Sequence, residues 1–189
     1  GGGLTGIQAG TSVGTNQYTE NTIRDLRFSG TTGTTRGLLI GDVRTGVFAR
    51  NRIFGLQSNA AATGQLIGIE FAGLSSQASN ATFVNNYISL APTAVGAFQV
   101  IGIYDFAFVN NTFTADYNSV YVAGTASGAA SSWAYRRGGS TPTFATLRNN
   151  ILYNNRSGGT GSHFAIGDQS VNTGTWTSNN NASSAWCER

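Results

Sequence analysis

The sequence contains no methionine and no lysine, and it has only one cysteine and two prolines. The single cysteine, Cys187, excludes an internal disulfide. Because a nascent chain begins with methionine, a chain that opens with Gly1 is expected to be a processed product or a segment of a longer polypeptide. No apolar run reaches the roughly 18 residues that a membrane-spanning helix needs, so no membrane span is predicted.

Charged residues are also scarce, at 10% of the chain, and 11 arginines against 8 acidic residues leave a formal net charge of +3. A nucleic-acid-binding surface gathers its basic residues on one face, whereas these arginines are thinly spread, so we expect no nucleic acid partner. The only histidine, His163, has no serine, cysteine or metal ligand at a useful spacing. We therefore predict a structural hydrogen-bonding role for His163, and we expect no metal site and no cofactor.

Glycine, by contrast, is abundant at 26 residues, and asparagine, serine and threonine are frequent. No apolar pattern of helical period continues for more than about two turns. This composition favours short strands joined by tight turns, so we predict a nearly all-β fold. With 40% hydrophobic residues, the chain of 189 residues can form one packed domain, which we assign to residues 1–189.

One short pattern recurs along the sequence: an apolar residue, any residue, a polar residue, asparagine, any residue and an apolar residue. The clear copies are Phe48–Ile53, Phe83–Ile88, Phe108–Phe113 and Leu147–Leu152. Two weaker copies flank them, Ile23–Phe28 and Trp176–Asn181. Repeats that start 25 to 39 residues apart predict a solenoid of stacked units.

A right-handed parallel β-helix of about six coils fits this repeat. A β-propeller does not, because a propeller blade needs about forty residues and the shortest spacings of the repeat are smaller than that. Each coil lies about 4.8 Å above the last, so equivalent residues stack in columns. The two predicted interior columns are Ile23, Phe48, Phe83, Phe108, Leu147 and Trp176, and Phe28, Ile53, Ile88, Phe113 and Leu152. Second apolar strands are expected at Gly37–Ile40, Gln65–Ile69, Gln99–Ile103, Ser132–Tyr135 and His163–Ile166.

The asparagines of the repeat lie between two predicted strands, at Asn51, Asn86, Asn111 and Asn150. Asparagine tolerates left-handed backbone angles, which suits a sharp bend. Stacked asparagine amides can also hydrogen-bond from one rung to the next. We therefore predict a structural asparagine ladder at this bend rather than a row of sugar-binding amides.

Known enzymes of β-helix fold are polysaccharide lyases and glycoside hydrolases, so the carboxylates are candidate catalytic groups. Aligning the second strands by Ile40, Ile69, Ile103, Tyr135 and Ile166 places in one column Asp42, Phe71, Asp105, Arg137 and Asp168. Asp105 and Asp168 would lie two rungs apart, about 9.6 Å, close to the carboxyl separation of inverting hydrolases. The alternative, which we favour, is an ion-pair ladder in which Arg137 separates the two acids. A different match, of Ile67 with Ile40, would shift the alignment by two residues.

A longer segment resembles a known family. Residues 149–166 contain Asn-Asn-Ile, Arg-x-Gly-Gly-Thr-Gly and His-aromatic-Ala-Ile, and residues 116–122 precede them as a strand. Together they are similar to a recurrent segment of very large, secreted β-helix proteins of the Bacteroidetes lineage, many exported by type IX secretion. The close match covers residues 116–166. It implies a β-helix and an extracellular or cell-surface location, and it implies no catalytic residues.

We therefore predict a non-enzymatic structural or adhesive β-helix module of a secreted or cell-surface protein or extracellular filament. The alternative is a polysaccharide-active enzyme, or a carbohydrate-binding module in which Trp133 and Tyr135 stack on sugars. Gly1–Gln8 is too glycine-rich, and Ser183–Arg189 too short, to cover an open strand edge. The expected partners are therefore neighbouring copies or flanking coils of a longer chain, with carbohydrate as a further option.

Overall fold

The structure, a computed structural model, describes residues 2–10, 12–30, 32–41, 43–59, 64–73, 78–106, 111–138, 144–169 and 174–185. These residues form strands, turns and bends, and they contain no helix. A helix that could cross a membrane is accordingly absent from this part of the chain. The predicted all-β fold is confirmed.

Twenty short strands make up the described chain. They are β1 (Leu4–Ala9), β2 (Ser12–Thr19), β3 (Thr22–Arg24), β4 (Arg27–Phe28), β5 (Thr34–Ile40), β6 (Val43–Ala49), β7 (Arg52–Phe54), β8 (Gln57–Ser58), β9 (Gln65–Phe71), β10 (Asn80–Val84), β11 (Tyr87–Leu90), β12 (Gln99–Asp105), β13 (Thr112–Asp116), β14 (Ser119–Val122), β15 (Ser132–Arg137), β16 (Phe144–Arg148), β17 (Ile151–Asn154), β18 (His163–Asp168), β19 (Trp176–Asn179) and β20 (Ala182–Ala185). The five predicted second strands lie within the longer strands β5, β9, β12, β15 and β18.

The strands pair in parallel into three sheets of six strands each. Sheet A contains β1, β5, β9, β12, β15 and β18; sheet B contains β2, β6, β10, β13, β16 and β19; and sheet C contains β3, β7, β11, β14, β17 and β20. Strands β4 and β8 form a separate parallel pair. Each rung thus contributes one strand to each main sheet, which confirms the parallel β-helix. The right hand of its coil stays a prediction.

The strand register confirms part of the predicted interior columns and corrects the rest. The sheet B column contains Tyr18, Phe48, Phe83, Ala115, Leu147 and Ser178. The sheet C column contains Ile23, Ile53, Ile88, Val120, Leu152 and Ser183. The prediction was therefore right for the second, third and fifth rungs and wrong for Ile23, Phe28, Phe113 and Trp176.

The errors have a common cause. Sequences that match the apolar and asparagine repeat occur at more than one bend of the coil. Ile23 lies in the sheet C column, and Phe28 pairs with Ser58 in the small sheet. Phe113 and Trp176 lie two residues away from the sheet B column, since both pair with Ala145. Phe108 lies outside the described residues.

An aromatic stack fills the interior and explains why Phe113 resembled a column residue. The rings of Tyr18, Phe48 and Phe83 stack with centroids 5.3 and 5.1 Å apart. The fourth rung has the small Ala115 in this column, and the ring of Phe113 continues the stack 4.8 Å from Phe83. A ring from a neighbouring position thus fills the volume that alanine leaves, which keeps the interior close-packed.

Glycines of sheet A let its backbone approach sheet C closely. Gly68 and Gly102 occupy equivalent positions of β9 and β12. A Cβ added to Gly68 would lie 2.6 Å from Cγ2 of Ile88 and 2.5 Å from the carbonyl oxygen of Gly102. Because the second contact is with backbone, side-chain rotation cannot relieve it. The β-branched column of sheet C therefore requires glycine on the facing strands.

Gly68→Ala tests this close approach. We expect the added methyl group to lower the free energy of unfolding by about 1 to 3 kcal/mol, the usual cost of overpacking a core. Urea denaturation measures the change. Gly10→Ala is the matched control, because a Cβ there has no atom within 4 Å. Equal stabilities of the two variants would contradict the role of the glycine.

Candidate functional site

A row of asparagines runs along the bend between sheets B and C. Its six members, one in each rung, are Asn21, Asn51, Asn86, Asn118, Asn150 and Asn181. In the first five, the side-chain Nδ2 donates a hydrogen bond to Oδ1 of the asparagine in the next rung, over 2.8 to 3.0 Å. The row is an uninterrupted asparagine ladder through all six rungs.

The environment of Asn86 shows how completely the ladder satisfies its polar groups. Its Nδ2 donates to Oδ1 of Asn118 and to the carbonyl oxygen of Phe48, each over 2.8 Å. Its Oδ1 accepts from both the backbone N and the Nδ2 of Asn51 at 3.0 Å. Since Asn86 is only 2% exposed, these partners replace the water that it loses on folding.

The left-handed conformation that turns the chain belongs to the residue before each ladder asparagine. These residues are Glu20, Arg50, Asn85, Tyr117, Asn149 and Asn180, with φ angles between 52° and 61°. The expectation that the ladder asparagine itself adopts this conformation is therefore wrong. The ladder position needs asparagine because its side-chain amide bridges two rungs. The preceding position, which has the left-handed conformation, is occupied by different residue types.

The structure keeps three of the four predicted ladder residues. Asn51, Asn86 and Asn150 lie in the ladder, whereas Asn111 lies at another bend, where its Oδ1 accepts a hydrogen bond from the backbone N of Ser79. Asn118 takes the fourth place. Successive ladder asparagines are 30, 35, 32, 32 and 31 residues apart, and this near-constant spacing is the signal that would have identified Asn118.

Asp105, Arg137 and Asp168 form one column at the end of sheet A, as predicted. Phe71 belongs to the same column, but its partner on β5 is Ile40, because Leu38 pairs with Ile69. The alignment of Ile40 with Ile69 is therefore wrong by two residues. Asp42 lies outside the described residues.

The burial of this column differs between its members. Asp105 and Arg137 are each 1% exposed, whereas the Asp168 side chain is 42% exposed. Arg137 Nη1 lies 3.6 Å from Asp168 Oδ2, and the Tyr135 hydroxyl donates a hydrogen bond to Asp105 Oδ2 over 3.2 Å. Burial raises the pKa of Tyr135 well above its ordinary value, and the Asp105 carboxylate raises it further. Tyr135 thus stays protonated and remains a donor to the buried carboxylate.

Arginine–carboxylate pairs link neighbouring rungs elsewhere on the molecule. The pairs are Glu20 with Arg50, Glu70 with Arg36, Asp116 with Arg148 and Asp168 with Arg137. The Asp116 pair is bidentate, since Nε and Nη2 of Arg148 donate to its two oxygens over 3.0 and 2.8 Å. Exposed pairs contribute little stability one by one, but each of them aligns two rungs.

Arg156 is a buried cation that binds backbone rather than a carboxylate. It is 0% exposed, and its Nη1 and Nη2 donate to the carbonyl oxygens of Phe98 and Gly96 over 2.9 and 3.2 Å. Burial lowers its pKa to about 10. Its guanidinium also lies 5.2 Å from the centre of the Phe98 ring. Arg156 therefore fastens the segment before β12 to the segment before β18, which is two rungs away.

His163 contacts a serine that sequence spacing did not reveal. Its Nδ1 lies 2.8 Å from Oγ of Ser132, and Oγ also donates to Oδ1 of Asn154 over 3.2 Å. Ser132 and Asn154 are both 0% exposed. A nucleophilic serine must reach its substrate, so this buried contact has the structural role expected for His163.

The aromatic residues proposed for sugar stacking are not accessible. Trp133 is 2% exposed and Tyr135 is 0% exposed, so both belong to packed clusters. Accessible aromatic side chains occur on the outer face of sheet C, where Tyr87 is 46% exposed and Tyr153 is 38% exposed, and elsewhere at Tyr117, Phe144 and Phe164.

A groove opens on this outer face and is called the sheet C groove below. Its volume is about 380 Å³, and it is lined by Arg52, Phe54, Gly55, Tyr87, Ser89 and Ala91. The Arg52 guanidinium lies 5.8 Å from the centre of the Phe54 ring. In the part of the chain that the structure describes, no group of three or more potential metal ligands accompanies it. The groove combines an aromatic ring, hydroxyl groups and one cation.

Comparison of the chain with protein-family models, with curated proteins and with solved structures finds no match. The geometry described above therefore carries the functional argument.

Asn86→Ala tests the energetic weight of the ladder. We expect it to lower the free energy of unfolding by about 2 to 4 kcal/mol, because the buried amide groups of Asn51 and Asn118 lose hydrogen-bond partners. Asn181→Ala is the control. Asn181 lies at the end of the ladder and is partly buried, so we expect a loss of about 1 kcal/mol. Equal losses in urea denaturation would refute the idea that the interior of the ladder matters most.

Proposed function

We propose that the chain is a non-enzymatic structural or adhesive β-helix module of a secreted or cell-surface protein or extracellular filament. The observation that carries this proposal is the continuous ladder of six asparagines, which joins every rung to the next. Such a ladder adds hydrogen bonds between neighbouring rungs, which suits a scaffold. The fold is compatible with such a scaffold.

The environment of the carboxylates supports a scaffold over a hydrolase. A hydrolase pair needs one protonated acid and one ionised base on either side of a substrate. Here Arg137 lies between Asp105 and Asp168 in the column, and Asp105 is 1% exposed and accepts a hydrogen bond from the Tyr135 hydroxyl. Carboxylates in this arrangement hold rungs together and have little access to a sugar ring.

The resemblance of residues 116–166 to secreted β-helix proteins supports the extracellular location. The ladder bend at Asn150, β17 and β18 all lie in or beside that segment. The segment thus contains strands and a bend whose equivalents recur in the other rungs. Export as a cell-surface component is part of the proposal.

Polysaccharide digestion tests the non-enzymatic part of the proposal. Incubation with acidic and neutral polysaccharides is expected to release no oligosaccharides, as measured by new reducing ends and by absorbance of unsaturated products. Asp168→Asn serves as the control for any product that forms. Release of oligosaccharides by the unmodified chain that Asp168→Asn abolishes would establish the hydrolase instead.

The proposed partners are neighbouring copies or flanking coils, because the outermost strands of the three sheets have a paired neighbour on one side only in the described structure. An open strand edge can template pairing with another chain. Light scattering over a range of protein concentrations should show elongated oligomers. A monodisperse monomer of 19.7 kDa at every concentration would contradict this part of the proposal.

A further inference from the structure

The sheet C groove exists because a small residue interrupts an aromatic column. The outer column of sheet C contains Arg24, Phe54, Ser89, Tyr121, Tyr153 and Ser184. Where two tyrosines follow each other, their rings stack with centroids 5.7 Å apart. Ser89 leaves the corresponding space empty between Phe54 and Tyr121, which are two rungs or about 9.6 Å apart. This gap has room for one ring from a ligand.

The groove also holds an uncompensated positive charge. Arg36, Arg50, Arg137 and Arg148 each pair with a carboxylate of a neighbouring rung, whereas Arg52 forms no ion pair with any described residue. Asp25 lies beside Gly55 at the edge of the groove, and its carboxylate pairs with Arg24 at 3.6 Å. An exposed guanidinium at the rim of a groove favours an anionic ligand.

The two features specify one class of ligand. The apolar face of a pyranose ring packs against an aromatic ring, and its hydroxyl groups require polar partners such as those of Tyr87 and Ser89. A carboxylate on the sugar would match Arg52. We propose that the sheet C groove binds an acidic polysaccharide through a uronate residue that stacks on Phe54 and pairs with Arg52. This inference deepens, and rests on, the adhesive role proposed above.

The same face offers further contacts along the axis of the β-helix. Tyr121 and Tyr153 continue the column beyond Ser89, and Ile151 lies beside them and is 57% exposed. Successive rungs rise by about 4.8 Å, which is comparable to the length of one pyranose residue. A saccharide chain that follows the axis can therefore contact several rungs. Oligomers of four uronate residues should accordingly bind more tightly than the monosaccharide.

Calorimetric titration with oligogalacturonate tests the proposal, with neutral oligogalactan of the same length as the comparison ligand. We expect the chain to bind oligogalacturonate and to bind galactan more weakly. Arg52→Gln should weaken oligogalacturonate binding by about tenfold, the loss that follows removal of a charge-assisted hydrogen bond. The matched control is Arg44→Gln, which removes an exposed arginine from sheet B and changes the net charge equally. It should bind as the unmodified chain does.

Ser89→Tyr provides a second, independent variant. The new side chain should fill the groove and abolish binding, while the outward position leaves the interior packing and the melting temperature unchanged. The proposal is overturned by equal binding of both saccharides, by equal losses in Arg52→Gln and Arg44→Gln, by unaltered binding in Ser89→Tyr, or by no binding at all. If the chain neither binds nor cleaves the saccharide, only the groove proposal fails and the scaffold proposal is unaffected. Cleavage of the saccharide would overturn the scaffold proposal itself.

Discussion

Hydrogen bonding between equivalent asparagines of successive rungs is the constraint on which the rest of the structure depends. A shift of one residue in strand register would move every side chain to the opposite face of a sheet. The ladder resists such a shift because each amide, as at Asn86, has donors and acceptors in both adjacent rungs. Since these groups are buried, a slipped rung would leave them without partners.

The interior columns require the register that the ladder provides. Ile88 can occupy its place only because Gly68 faces it, and Phe113 can fill the space above Ala115 only when β10 and β13 are paired correctly. Interior packing and the ladder thus favour the same alignment of rungs. Agreement between polar and apolar interactions is what selects one structure from a repetitive sequence.

The outer surface follows a second pattern, in which arginine supplies all the cationic side chains. A planar guanidinium can pair with a carboxylate on the next rung, as Arg148 does with Asp116, and the same group can lie against an aromatic ring. Arg52 differs because it lies over Phe54 at a groove instead of beside an acid. Arg52 thus marks a part of the surface that can bind a ligand, whereas pairs such as Arg148 with Asp116 join neighbouring rungs.

The amino-acid sequence alone determined the all-β repeat, five of the six strands of sheet A and three ladder asparagines, because turn chemistry and apolar alternation are local properties. It also placed Asp105, Arg137 and Asp168 in one column, since the apolar residues before them align without a gap. Tertiary structure alone decided that Ser132 meets His163 and that the ring of Phe113 fills the space that Ala115 leaves. Rung lengths vary, so the pairing of distant residues depends on packing across the whole coil, which short patterns do not encode.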